Sequence, residues 1–541
     1  MWNPGRSLGR LTKTTQTFVG VESSVQAGPS ISSAFVQSSL AERLMNWVFL
    51  AVVMAQGAFL RLWQINSLGF NTDEAVYAGT AAAIVQDPNL TPYFPIFRAH
   101  PLLAQFVLAL VYQFGVSDIA ARLVAVAFGL LTIFLGYKAG KLLYGERAGM
   151  LTALFLALMP YLVVVNRQFL LDGPMAAMAT LTLYLIARYG LTQRPIWLYA
   201  AGAGLGLTFL AKETGIVMVG AIYAFLALTP EIRVRIRDVI ISFVIMAVVI
   251  APFPLSLALA GSGSTGQNFL VWQLFRRPNH EWSFYLMNLP MPLNPLVILT
   301  ALAGLWLLRQ EGTWREKLLL LWIAVPLAFF QLWPVKGFQY PLPITAPLAI
   351  LAGRTLARWN WYEGLYLFRR HLNMTWVRPL AIAVITVVLL LSSWSQVQAS
   401  VTNTFTAGTG GIPGGREAGT WILENTPVGA TFMTLGPSMA NLIEFYGHHK
   451  AYGLSVSSNP LHRNPTYEPI LNPDAQLRSG NLQYIVWDSF SASRSQFFAK
   501  TLLNYVNKYH GRVVHTEQIE TTTPDGKKTD KPIIIIYEVH P

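Results

Sequence analysis

The segment LLAQFVLALVYQFGV, residues 102–116, decides how this chain is threaded. It follows His100-Pro101 and is flanked by two longer apolar runs, 45–62 and 122–143. The residues before the first run carry Arg6, Arg10, Lys13 and Arg43, and the loop after the third reads KAGKLLYGER (138–147). Lysine and arginine in short flanking segments mark the cytoplasmic side of a membrane. Both stretches are therefore expected inside, so an even number of crossings must separate them. Three apolar segments do, and one of the three cannot cross. The 101–116 segment is the shortest, and its length suits an interfacial or re-entrant helix.

The composition supports this membrane reading. Of 541 residues, 53% are hydrophobic and only 12% are charged, against about 25% charged in soluble domains. Twelve apolar segments precede residue 395, the last at 379–395. The loops at 138–147, 188–194, 231–238, 309–317 and 354–378 hold 16 Lys or Arg, and the intervening loops near 167, 212, 276–277 and 336 hold 5. The alternation fixes an orientation. With 101–116 lying flat, the chain is expected to be a polytopic α-helical membrane protein of eleven spans with juxtamembrane helices. Its N-terminus is expected in the cytoplasm of a plasma membrane, and everything after 395 outside. The net charge of +13 is then a membrane signal, and no nucleic-acid partner is expected. The absence of cysteine excludes disulfides, zinc thiolates and thiol nucleophiles.

Three regions follow: a disordered cytoplasmic tail, 1–40, rich in Ser, Thr, Gly and Gln; a membrane domain, 41–395; and an extracytoplasmic α/β domain, 396–541, entered through GTGGIPGG (408–415). In the last, ATFMTLG (430–436), LQYIVWD (482–488), RVVHTEQ (512–518) and IIIIYEV (533–539) read as strands. SMANLIEFYG (438–447) and SRSQFFAKTLLNYVNKY (493–509) read as helices. The alternation predicts a largely parallel sheet. No phosphate-binding glycine loop is present, which argues against nucleotide binding.

On this threading the outer face collects acids and bases at head-group depth: Asp73, Glu74, Arg98, His100, Arg167, Asp172, Lys212, Glu213, Arg276, Arg277, His280 and Lys336. Several have structural readings too. Asn71-Thr72-Asp73-Glu74 is a good helix start, with Thr72 as cap. Asp172 before Gly173-Pro174 reads as an N-cap, and Lys212–Glu213 as a local ion pair. Arg276 and Arg277 also suit anionic head groups, and Arg167 reads as interfacial. Trp47 and Trp306 read as interface anchors. The prolines at 341, 343 and 347 predict a kinked segment beside Lys336.

The order of motifs resembles the GT-C glycosyltransferases that use polyprenyl-phosphate sugars, among them the protein O-mannosyltransferases and the lipid A aminoarabinose transferases. DEAVYAG (73–79) resembles their Asp-Glu motif in the first outer loop, and RAHPLL (98–103) their His-Pro-Pro-Leu element. NRQFLLDGPMAAMATLTLYL (166–185) resembles their second acidic motif, and GLTFLAKETG (206–215) their Thr-Lys-x-Thr-Gly element. KGFQYPLPITAPLAILAG (336–353) is similar to their Tyr-Leu-Leu-Pro-Leu-x-Pro segment. The likeness covers roughly 45–395. Leu102 replaces the second proline, and Ala211-Lys212-Glu213 departs from Thr-Lys. The C-terminal α/β domain also differs from the β-trefoil of eukaryotic O-mannosyltransferases.

The resemblance implies an inverting transfer of a sugar from a polyprenyl (dolichyl or undecaprenyl) phosphate to a hydroxyl of a protein, lipid or glycan on the outer face. Asp73 is then the base, with Glu74 orienting it or pairing with a cation. Asp172 either positions the acceptor or the base, or joins Asp73 at a divalent cation, Mg²⁺ or Mn²⁺. Arg98, His100, Lys212, Arg276, Arg277 and Lys336 are the candidates for the donor phosphate, and Tyr77, Glu213, His280 and Tyr340 for the cavity lining. Membrane lipids complete the expected partners. The competing readings are a transporter or flippase and an inactive subunit of the same fold. Ionisable groups gathered at one membrane face, with no internal repeat, favour the enzyme.

Overall fold

The structure, a computed structural model, describes residues 40–96, 100–261, 263–276, 278–358, 365–367, 370–372, 376–401, 412–522 and 528–541. Two compact units divide the chain at 47/48. The described part of the first is the opening of helix α1 (Leu40–Leu62), where Leu40, Leu44, Met45 and Trp47 are exposed. The second unit carries the other described elements.

Among the described residues four helices are long and apolar enough to cross a membrane: α1, α4 (Asp118–Tyr144), Ile236–Leu259 and Val377–Gln398. Shorter apolar helices span 103–112, 195–211, 213–227 and 295–307. This content of long apolar helices describes an integral membrane protein. The segment on which the threading turned forms α3 (Leu103–Tyr112). Ten residues rise about 15 Å, half of a bilayer core of about 30 Å, so α3 does not span one. It buries Ala104, Gln105, Leu108 and Tyr112 and exposes Phe106 and Leu110.

The helices pack through small residues, as membrane helices do when close backbone approach supplies the contact. In the helix Pro195–Ala211, a methyl on Gly202 would meet the Ser242 carbonyl at 2.3 Å, and one on Gly206 would meet Val249 at 2.7 Å. Gly204 in the same helix abuts Thr182 of α5 (Asp172–Thr192). The prolines of 338–353 produce no kink within a helix. Pro343 lies in a short 3₁₀ turn (Leu342–Ile344), and Pro347 occupies the first turn of the uninterrupted helix Thr345–Arg358. A proline in a first turn removes no helical hydrogen bond.

A small antiparallel hairpin, β1 (Leu365–Leu367) and β2 (Arg370–Leu372), precedes the last long helix. Beyond residue 412 lie β3 (Thr431–Thr434), β4 (Lys450–Gly453), β5 (Tyr484–Asp488), β6 (Arg512–Thr522) and β7 (Lys528–Glu538). They form one sheet in the order β4-β3-β5-β7-β6. It is mixed rather than largely parallel: β3 pairs in parallel with β4 and β5, while β7 runs antiparallel to β5 and β6. β6 and β7 follow one another in the chain, and so short a connection cannot make the crossover that parallel pairing needs, which accounts for the antiparallel β6–β7 pair. One face packs Met433, Ile485, Leu502 and Val506 together.

The sheet region docks on the loop after α1 and on helix α2 (Thr72–Ile84). Asn441 Nδ2 donates to Thr72 Oγ1 at 2.9 Å. The Phe70 amide donates to the Tyr446 hydroxyl (2.8 Å), which donates to Asp118 (2.5 Å). Arg416 reaches Asn66 and Asp118 at 3.1 and 3.4 Å.

Candidate active site

Helix α2 starts where the sequence predicts, but Asn71 rather than Thr72 is its cap. The Asn71 side chain accepts from the Asp73 and Glu74 amides at 2.9 and 3.0 Å, and Glu74 returns the bond to the Asn71 amide. This reciprocal box satisfies amides that a helix start leaves open. The body of α2 is alanine-rich and buried, and the Phe94 ring lies flush on Gly79.

The two acids part at this turn. Glu74 is 1% exposed and its carboxylate is fully engaged. Oε1 accepts from Arg122 Nε (3.0 Å) and the Phe169 amide (2.9 Å); Oε2 accepts from Arg122 Nη2 and the Asn71 amide, both at 3.0 Å. Arg122 also donates to the carbonyls of Ile65, Leu68 and Gly69. Of the two roles foreseen for Glu74, pairing with a cation matches this geometry; a carboxylate with four donors has no lone pair for a substrate. Asp73 is half-buried at the same helix end.

Asp172 opens α5 without capping it; both of its oxygens accept from Lys212 Nζ at 2.8 Å. Lys212 therefore pairs with Asp172, not with its neighbour Glu213, and its Nζ sits 4.7 Å from the Tyr340 ring centre. Glu213 Oε2 faces His100 Nδ1 at 2.9 Å. The His100 ring stands edge-on to Tyr77 (5.8 Å) and Phe269 (5.1 Å). Burial pushes the Tyr77 hydroxyl well above its usual range, with the charges of Asp73, Asp172 and Glu213 and the Tyr340 hydroxyl adding to the shift. These groups from five separate stretches of chain thus surround one phenol.

A second group of cations borders the first. Lys336 is buried, its backbone clamped by Asn279 and its Nζ 5.7 Å from the Trp282 ring. Arg276 stacks on Trp272 at 4.5 Å. His280 is exposed and stacks on Phe284 at 4.1 Å. Partial desolvation, then the charges of Arg494 and Lys336, hold its imidazole below the usual value. Arg98 and Arg277 lie outside the described residues.

Arg122 and Arg494 were not anticipated. Arg122 begins the third apolar segment, and an arginine at the mouth of a span was the available signal. Arg494 ends the short helix Ser489–Arg494 of the sheet region, with its guanidinium 4.0 Å from the Phe490 ring. Burial lowers its pKa, and the negative charges of Asp73 and Asp488 oppose that shift. No sequence signal links it to Asp73. Arg167, read as interfacial, is instead buried and donates to the carbonyls of Leu60 and Arg61.

The shared-metal reading of Asp73 and Asp172 does not fit these residues. An ammonium already holds both oxygens of Asp172, and no group of three or more His, Cys, Asp or Glu suited to a metal occurs among the described residues.

The architecture is the fold shared by two solved proteins, ArnT and AglB. Residues 99–257 match the family model described as dolichyl-phosphate-mannose-protein mannosyltransferase. The chain is similar to ArnT from Cupriavidus metallidurans at 17% identity, covering 91% of this chain and 98% of that one, with TM-scores of 0.64 for the apo state and 0.63 for the structure bound to undecaprenyl phosphate. It is also similar to the archaeal oligosaccharyltransferase AglB from Archaeoglobus fulgidus, in complex with an inhibitory peptide and a dolichol-phosphate. There the identity is 14%, the coverage 91% and 75%, and the TM-score 0.58. No curated protein matches the chain. The resemblance read from the motifs is thus reproduced by the fold.

Proposed function

We propose that the protein is an inverting glycosyltransferase that moves a sugar from a polyprenyl-phosphate donor to an acceptor hydroxyl at the outer membrane face. The observation that carries this reading is the convergence of Asp73, the Asp172–Lys212 pair, the His100–Glu213 pair and Tyr340 around Tyr77. The polyprenyl phosphates bound by ArnT and AglB support a donor of that class.

In the proposed reaction the acceptor oxygen attacks the anomeric carbon as the carbon–oxygen bond to phosphate breaks. The electron pair leaves with the phosphate, and Asp73 takes the hydroxyl proton. The charge gained by the phosphate is stabilised by cations placed beforehand. Lys336, Arg276 and Arg494 suit that task, since Lys212 is committed to Asp172. The Asp172–Lys212 and His100–Glu213 pairs hold the walls.

The topology proposed with this function has eleven spans, α3 lying at the outer interface, the N-terminus in the cytoplasm and the 396–541 domain outside. The basic-loop alternation and the length of α3 support it. Asp73→Asn and Asp73→Ala, assayed for transfer from polyprenyl-phosphate sugars by purified protein in nanodiscs, test the chemistry. Both variants should lose at least about a hundredfold in turnover; activity surviving in both overturns the assignment.

A further inference from the structure

Strand β5 ends at Asp488, which is fully buried and caps the short helix Ser489–Arg494. Its Oδ1 accepts from the Ser491 amide at 2.7 Å, and its Oδ2 has no partner. The cap does not need this charge, since asparagine or serine caps as well. A buried carboxylate oxygen without a donor is costly, so the charge needs a reason other than the fold. We propose that Asp488 is a positioning residue, whose charge holds the Arg494 guanidinium folded back along that helix, in the field of Asp73.

The geometry of Arg494 carries this assignment. Its guanidinium lies 4.0 Å from the centre of the Phe490 ring, one helical turn earlier. The side chain therefore runs back toward the start of the helix, where Asp488 precedes Phe490 by two residues. Free amides leave partial positive charge at that end, which disfavours a cation there. The Phe490 ring alone contributes only about 0.5–1 kcal/mol at an exposed site. The capping carboxylate supplies the missing attraction. The charge that acts on Asp488 is that of Arg494, and the charges that act on Arg494 are those of Asp73 and Asp488. Two carboxylates thus share one guanidinium, one of them fixed in the interior and the other half-buried at the proposed site. Arg494 itself is exposed, and among the described residues no hydrogen bond or ion pair holds it. Its donors stay open to a phosphate, while Asp488 limits where they point.

The effect on sugar transfer rests on the reaction proposed above; the effect on Arg494 itself does not. Full-length protein in nanodiscs is labelled with phenylglyoxal, and modification of Arg494 is followed by peptide mass spectrometry in the wild type and in Asp488→Asn, which keeps the cap. A guanidinium that loses a nearby carboxylate gives up its proton more readily, so Arg494 should react about threefold faster or more. Turnover of sugar transfer should fall about threefold or more in Asp488→Asn with no loss of melting point, and should fall no further when Asp488→Asn is added to Arg494→Gln. Unchanged labelling overturns the proposal, as does wild-type turnover in Asp488→Asn where Arg494→Gln is impaired. A loss by the same factor in both backgrounds overturns it too, because Asp488 would then act without Arg494. So does a gain in turnover, because the negative charge would then only oppose the leaving phosphate. Faster labelling with wild-type turnover in Arg494→Gln supports the placement and overturns the part given to Arg494 in the transfer. If Asp488→Asn folds poorly, Asp488→Ser, a second uncharged cap, decides by the same measurements.

Discussion

Glu74→Gln separates a structural carboxylate from a catalytic one. The side chain keeps its shape and loses its charge, so Arg122, 5% exposed, loses the carboxylate it is paired with in the interior. The amide also presents two N–H groups where four donors converge. Removing one partner of a buried ion pair costs about 3–5 kcal/mol, and a mismatched donor adds to that. Arg122→Met should cost a similar amount, because the carbonyls of Ile65, Leu68 and Gly69 lose their donor too. The double variant should fall short of additivity by about 2 kcal/mol, since each single change already removes the shared pair. Thermal unfolding in nanodiscs, followed by the fluorescence of the 16 tryptophans, reads all three variants. Residual transfer at a temperature well below the transition is measured alongside. The expected result is a melting point lowered by several degrees, with transfer retained in the folded fraction. A variant that melts like the wild type while transfer vanishes would refute the reasoning, because Glu74 would then act on the reacting atoms.

Lys212→Met should leave Asp172 buried without its cation, costing about 3–5 kcal/mol; Asp172→Asn in the same background should recover part of the loss, and unchanged unfolding in Lys212→Met would exclude the pair. Arg494→Gln should lower the turnover of sugar transfer about tenfold or more with unfolding unchanged; unaltered kinetics would remove the sheet region from the chemistry. Asp488 is fully buried, its Oδ2 has no partner, and burial raises its pKa above the ordinary 3.8. A raised carboxyl pKa means that folding is favoured below the unfolded value and loses that contribution as pH rises through the folded value. Asp488→Asn, which can still accept the Ser491 amide bond, should therefore raise the melting point at pH 7.5, with the gain fading below about pH 4; a melting point lowered at pH 7.5 would contradict this.

The sequence carried the local features of the site and not their partners. Asn71 through Glu74 was legible as a helix start because capping depends on residues three apart. Which acid the fold would consume was not, since Arg122 lies in another helix and its approach depends on how α4 packs. The same holds for Lys212 and Glu213. Their adjacency suggested a pair, but an extended backbone at Lys212 (φ −161°, ψ 134°) sends the two side chains to Asp172 and His100. Strands β3, β5 and β7 were visible as short apolar runs. β4 was not, because KAYG (450–453) has neither the length nor the alternation that marks a strand. Strand direction was equally hidden, for IIIIYEV reads the same in either sense.

The sheet region bears on the proposed chemistry because it holds the helix end that carries Asp73. Thr72, one residue before Asp73, accepts from Asn441; Glu74, one residue after, is fixed by Arg122. The first turn of α2 is thus gripped from two sides, and Asp73 has little freedom to move away from a reacting hydroxyl. The same region brings Arg494 into the field of Asp73. Covering a carboxylate lowers the local dielectric, so each nearby cation acts on it more strongly than in open water. A base must be held within hydrogen-bond reach of one proton, and a leaving phosphate needs cations that do not have to reorganise. Loops on a membrane core meet neither demand well by themselves, because surface segments move. The docked sheet supplies the missing constraint.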